Sequence, residues 1–244
     1  MSAIQGEPGA ILLIEFYGES VAEVESKMEK LKDDMARKRF GYACVNISDK
    51  AGQNNVWNIR KAGLGLLMSI HGDAKPIPFV EDTAVDPSVL GDFVTRFDEI
   101  VQNHGTEAGY YGHASVGCLH IRPLISLKDD DGISKMFSIA DEISDLVNEF
   151  GGSLSGEHGD GIVRGVFTEK MFGPEIYQAF RDLKTTFDPN KILNPNKIID
   201  CPPMEENLRY GRDYTSQPIE TVFDFSIDGD YAGAVEMCNG MGAC

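Results

Sequence analysis

The chain has 244 residues, 42% hydrophobic and 25% charged, a balance that suits one large or two small packed domains and excludes a disordered or collagenous chain. Its 22 basic and 39 acidic residues leave a net charge of −17, which excludes nucleic-acid binding by the surface as a whole and leaves any anionic ligand to a local basic pocket. No apolar run approaches the roughly 18 residues of a membrane span, and an odd, thinly spread set of 5 cysteines argues for reduced thiols in the cytoplasm, at most peripheral to the inner face of a membrane.

Residues 10–17 (AILLIEFY) read as a buried strand, after which Ser20 and Glu23 form a capping box. Val21, Val24, Met28, Leu31 and Met35 then mark one apolar stripe on a charged helix. A second short strand is expected over 42–47, and a helical stretch from Asp49 through Arg60 to Leu67. Pro76 and Pro78 start an extended segment, 77–82, and Asp86-Pro87 caps a helix that carries Val94, Phe97 and Val101 and stops at Gly105. A hairpin is predicted from 110–113 and 117–121, and a strongly amphipathic helix from Ile133 to Phe150. Residues 153–164 form a glycine-rich turn region, a last helix runs from Pro174 to Phe187, and 191–199 is expected to be extended. From Asp200 onward, nine acidic residues and two arginines with little apolar periodicity suggest a linker. The pattern as a whole predicts an α+β fold, an antiparallel sheet with helices packed on one face.

His113 and His120 flank the proposed turn, and centring the hairpin near Val116 and Gly117 sets them opposite each other, close enough to share a metal ion. Ser155-Gly156-Glu157-His158-Gly159-Asp160-Gly161 places an acid and a base among glycines, which suits a crowded site. Two histidines and one carboxylate are a familiar ligand set that keeps positions open. If the loop is extended there, Glu157 and His158 project to opposite sides, so Glu157 is assigned to the metal and His158 to proton transfer. Arg60 and Lys75 are candidate anion contacts, the first offering a planar fork and the second a mobile point charge. Cys238 and Cys244 match the outer positions of an iron–sulfur C-x2-C-x2-C run whose middle position is Met241, so the chain is read as a piece of something longer.

WNIRK at 57–61, KPIPFVEDTAVDP at 75–87, GHASVGCLH at 112–120, GSLSGEHGDGIVR at 152–164 and FDPNKILNPNKI at 187–198 together resemble the C-terminal domain of the FAD-linked oxidases. That family includes D-lactate dehydrogenases, D-2-hydroxyglutarate dehydrogenases and the glycolate oxidase flavin subunit. The resemblance covers about residues 10–200 and implies a ferredoxin-like cap with two parts: a substrate and cap domain over 1–200, and over 201–244 an acidic linker entering an iron–sulfur domain of the longer subgroup. It implies a D-2-hydroxy acid substrate held at its carboxylate by Arg60 and Lys75, a divalent metal such as zinc on His113, His120 and Glu157, and His158 as the proton-abstracting base. Asn194 falls where the family approaches the flavin, and Arg122 stands where the family often has Asn. The expected partners are an upstream FAD-binding domain and a downstream iron–sulfur domain. FAD binding by these 244 residues alone is expected to be weak or absent. Two readings of other classes compete: a non-catalytic structural-metal or interaction module, and a metallohydrolase using the same three ligands. The first needs a fourth protein ligand, and the second leaves the order of the five segments unexplained.

Overall fold

A computed structural model describes residues 4–238 and Gly242, so Cys244 lies outside the described residues. By its internal packing the chain divides into two units, 1–66 and 67–244.

In the first unit, helix α1 (Val21–Lys38) starts at Ser20, whose hydroxyl accepts from the Glu23 amide at 3.3 Å, while the Glu23 carboxylate accepts from the Glu19 amide at 3.0 Å. The cap is as expected, except that the return bond falls one residue earlier than in the usual box. Helix α2 (Lys50–Met68) begins after Asp49, which accepts from the Gly52 amide at 2.8 Å. Segments 10–17 and 42–47, expected as strands, are irregular. Neither has a ladder partner among the described residues, and apolar residues alone do not hold an extended segment that nothing pairs with.

The second unit is built around a four-stranded antiparallel sheet. Its long strand β4 (Cys118–Ile125) pairs with β3 (Ala108–His113) on one side. On its other side it pairs with two short strands, β1 (Lys75–Pro76) and β2 (Thr83–Ala84). Helix α3 (Leu90–Asn103) follows a turn capped by Asp86, whose carboxylate accepts from the Ser88 amide at 2.8 Å, and buries Phe93, Phe97 and Val101 at four-residue spacing. Helix α4 (Asp130–Glu149), capped by Asp129, packs on α3 and β4 with Ile133, Met136, Ala140, Ile143 and Val147 inward. Together with Phe79, Val80, Ile121 and Ile125 these residues make the core. The expected α+β class and antiparallel sheet are observed.

Helix α5 (Thr168–Phe187) is broken at Gly173, where φ is 79°, so its second part begins at Pro174 as the sequence suggests. Residues 191–199 are not extended. Left-handed φ values alternate at Lys191, Asn194, Asn196 and Ile198, and the Asp188 carboxylate accepts from the amides of Ile192 and Leu193, so a chain of turns replaces the strand. The segment read as a linker is anchored to the second unit. Met204 is buried in the core, Leu208 and Tyr210 pack against it, and Lys128 bridges Asp73 to Glu236 on helix α6 (Tyr231–Glu236). Its acidic composition hid the few apolar residues that dock it. Among the described residues no helix is long and apolar enough to cross a membrane.

Candidate metal and proton-transfer site

The hairpin turns through Ala114–Val116, and Gly117 at φ 70° ends the turn. A Cβ at Gly117 would lie 1.7 Å from the Val85 carbonyl, so the close approach of this turn to the chain after β2 requires glycine. The register sets His113 opposite Cys118 and Tyr111 opposite His120. The two histidines are therefore diagonal neighbours instead of the directly opposed pair the sequence suggested, because the hairpin centre lies one residue earlier. A shift of two in the pairing keeps both on one face of the sheet. Their ring centroids are 5.4 Å apart, edge to face.

The glycine-rich loop reaches this face through Asp82. Ser153 forms a two-bond bridge with Ala84, and the Gly156 amide donates to the Asp82 carbonyl at 2.6 Å. A Cβ at Gly156 would press on Ala84, the Asp82 carbonyl and the Cys118 sulfur, so only glycine passes here without displacement. Asp82 is fully buried with φ 62°, a backbone state that Asp adopts more readily than most residues. Its Oδ2 accepts from the Ser155 hydroxyl at 2.7 Å and from the amides of Glu157 and His158 at 2.9 and 2.8 Å. Its Oδ1 accepts from Arg164 Nη1, which also donates to the carbonyls of Glu81 and Leu154. Burial works to raise the Asp82 pKa, but these amides, Arg164 and Ser155 outweigh it and hold the carboxyl below its ordinary value.

With both amides fixed on one carboxylate, Glu157 and His158 do not diverge as an extended segment would force them to. Glu157 Oε1 lies 2.9 Å from His120 Nε2 and 3.8 Å from the Nε2 atoms of both His113 and His158. The His158 ring stacks on His120 with centroids 5.1 Å apart, and its Nδ1 lies 3.2 Å from Glu81 Oε1. His120 is buried, and burial pushes its pKa down, with Glu157 and Glu81 opposing, which favours the neutral ring a metal requires. Cys118 donates to Glu157 at 3.7 Å, and burial, then the Glu157 charge, pushes its thiol up to about 11.

Two sets of three donors fall within 4.8 Å of one another among the described residues: His113, His120 and Glu157, and Glu81, His120 and His158. The first is the better cation site. Glu81 is already neutralised by Arg122, whose Nη2 lies 2.5 Å from Glu81 Oε2, whereas among the described residues no lysine or arginine pairs with Glu157. The first set therefore fits a divalent metal in donor type and spacing.

Residues 2–198 match the family described as FAD linked oxidases, C-terminal domain. The chain belongs to that family. It is 36% identical over 241 residues to a D-2-hydroxyglutarate dehydrogenase of Pseudomonas putida, covering 96% of this chain and 23% of that protein. It is 34% identical over 245 residues to a D-2-hydroxyglutarate dehydrogenase of Escherichia coli, covering 95% and 23%. With a D-lactate dehydrogenase of Archaeoglobus fulgidus the identity is 35% over 133 residues, covering 54% and 29%. The chain thus spans about a quarter of the length of these relatives.

The structure brings His113, His120, Glu157 and His158 together. Arg60 lies on α2 in the first unit, half-buried. Lys75 donates from Nζ to the Ile70 carbonyl at 2.5 Å and to Met237 Sδ at 3.0 Å, and burial pulls its pKa down. Asn194 sits in a left-handed turn with Oδ1 3.5 Å from Lys197 Nζ, and Cys238 is exposed, its carbonyl accepting from Arg209. Arg122, which stands where the family often has Asn, is buried against Glu81. Three residues that frame the site, Glu81, Asp82 and Arg164, carried no sequence-based role. Their signal was the acidic pair inside an apolar, proline-bounded segment, which a surface connection does not need.

Proposed function

We propose that the chain is the substrate and cap portion of an FAD-dependent dehydrogenase that oxidises a D-2-hydroxy acid to the 2-oxo acid. The observation that carries this reading is the convergence of His113, His120 and Glu157 beside an imidazole, His158, that is not needed to complete the donor set. Family membership supplies the flavin, and the names of the relatives point to D-2-hydroxyglutarate or D-lactate as the substrate type.

His113, His120 and Glu157 would hold the cation; the bound groups supply Lewis-acid polarisation of the 2-hydroxyl by the metal and acceptance of two electrons by the flavin. His158 takes the hydroxyl proton on Nε2, the ring nitrogen that faces Glu157. Lys75 is assigned to the substrate carboxylate, which it would hold by charge-assisted hydrogen bonds, and Arg60 keeps the carboxylate role that the resemblance implies for it. Lys75 must exchange its bond to Met237 to do so. Asn194 would be a contact of the bound flavin, as the resemblance implies. An upstream FAD-binding domain, and a downstream iron–sulfur domain entered at Cys238 and Cys244, complete the enzyme. The buried approach of Cys118 to Glu157 is the one observation that favours a closed structural site, with Cys118 as its fourth ligand. The deciding experiment is flavin reduction in the full-length enzyme with D-2-hydroxyglutarate and D-lactate. His158→Asn is expected to slow the faster of the two by about 10²–10⁴-fold with the metal retained. An undiminished rate removes His158 from the reaction, and no reduction by either acid in the unmutated enzyme removes the substrate class.

A further inference from the structure

We infer that Glu81 is a positioning residue for His158 and that Arg122 holds it in place. This deepens the proposed function, since it rests on His158 being the base. Glu81 is buried and its two carboxylate oxygens are divided. Oε2 is 2.5 Å from Arg122 Nη2, and Oε1 is 3.2 Å from His158 Nδ1. The His158 ring is half exposed, so the sheet alone does not fix its rotation. Its stack on His120 sets the plane of the ring, and within that plane the contact of Nδ1 with Glu81 is shorter than those of the ring with Asp82 and Glu157.

A carboxylate only accepts, so Nδ1 beside Glu81 carries the proton and Nε2 keeps its lone pair. Nε2 is the nitrogen that lies 3.8 Å from Glu157 Oε1, on the side of the donor set. Asp82 Oδ1 is also near Nδ1, at 3.9 Å, but it is occupied by Arg164 and is the longer contact. When the substrate hydroxyl proton passes to Nε2, the imidazolium formed would be balanced by the Glu81 carboxylate; the flavin of the full enzyme would supply the two-electron acceptor. Arg122, paired with Oε2, leaves Oε1 turned toward the ring.

The test is a double-mutant cycle on flavin reduction in the full-length enzyme, with metal content measured in parallel. Glu81→Ala and the isosteric Glu81→Gln, which spares the shape of the site if removal of the side chain unfolds it, are each made alone and in combination with His158→Asn. With His158 intact, each Glu81 variant is expected to lower kcat, Glu81→Ala by about 10–100-fold, with KM within about twofold and metal content unchanged. With His158→Asn already made, the Glu81 changes are expected to cost nothing more, because a residue that acts through His158 has nothing left to orient. An equal loss in both backgrounds, or loss of metal in Glu81→Gln, overturns the inference. If His158→Asn alone leaves the rate unchanged, it is the reading of His158 as base that fails, a result separate from either of these.

Discussion

Replacing Asp82 with Ala removes the anchor of the glycine loop. Asp82 is fully buried, accepts three hydrogen bonds from the loop at 2.7–2.9 Å and pairs with the buried Arg164. Breaking a buried pair on one side costs about 3–5 kcal/mol because the remaining charge has no counterpart. Each hydrogen bond to the carboxylate contributes about 1.5–3 kcal/mol, and these overlap with the ion pair, so the lower figure of about 3 kcal/mol is the safe minimum. At about 1.4 kcal/mol per factor of ten, the loop's open state becomes roughly 10²-fold more populated. Hydrogen exchange followed by mass spectrometry reads this directly: the amides of Glu157 and His158 should exchange about 10²-fold faster while those of α4 change much less. Zinc affinity should fall with them, since Glu157 loses its fixed position. Unchanged exchange over 153–164 together with unchanged zinc affinity would refute the assignment of Asp82 as the anchor.

Gly117→Ala is expected to destabilise the second unit by about 2 kcal/mol or more, through a left-handed backbone and the clash with the Val85 carbonyl, and thermal unfolding measures it. Cys118→Ala should leave zinc affinity within about twofold, because His113, His120 and Glu157 form the donor set without it; a fall of about 100-fold would make Cys118 a fourth ligand and favour a closed structural site. Asp82 also sets an acid limit. Its folded pKa lies below the unfolded value of about 3.9, so its stabilisation is complete above that pH and is lost as pH falls through the lower folded value. In chelator-treated protein, acid titration of loop exchange should therefore show a step below about pH 4 that Asp82→Asn removes.

Legibility in the sequence followed the physics of each segment. Helices α3 and α4 were readable because one apolar face meets one core, and the cap at Asp86 is local. Residues 10–17 misled because strand formation depends on a partner that composition does not reveal. The turns of 191–199 were missed because they depend on the Asp188 carboxylate, which reaches amides four and five residues on. At the site, the chemistry of His113, His120, Glu157 and His158 was visible in residue type and spacing, but the way they meet was not. The hairpin register is set by a turn whose length the sequence leaves open, and the joint fixing of Glu157 and His158 depends on Asp82, 75 and 76 residues earlier. Glu81 and Arg122 were hidden for a related reason: a charged residue reads as surface until its partner, far along the chain, is found opposite it.

The central claim is that three side chains hold one cation and that the adjacent imidazole stays off it. Equilibrium zinc binding to purified full-length enzyme and its single variants tests this directly. One equivalent should bind to the unmutated enzyme, to His158→Asn and to Glu81→Gln, while His113→Ala, His120→Ala and Glu157→Gln should each lose affinity by more than about 100-fold. Loss of zinc in His158→Asn and Glu81→Gln, with full binding in His113→Ala and Glu157→Gln, would contradict the account and move the ion to the neighbouring donor set.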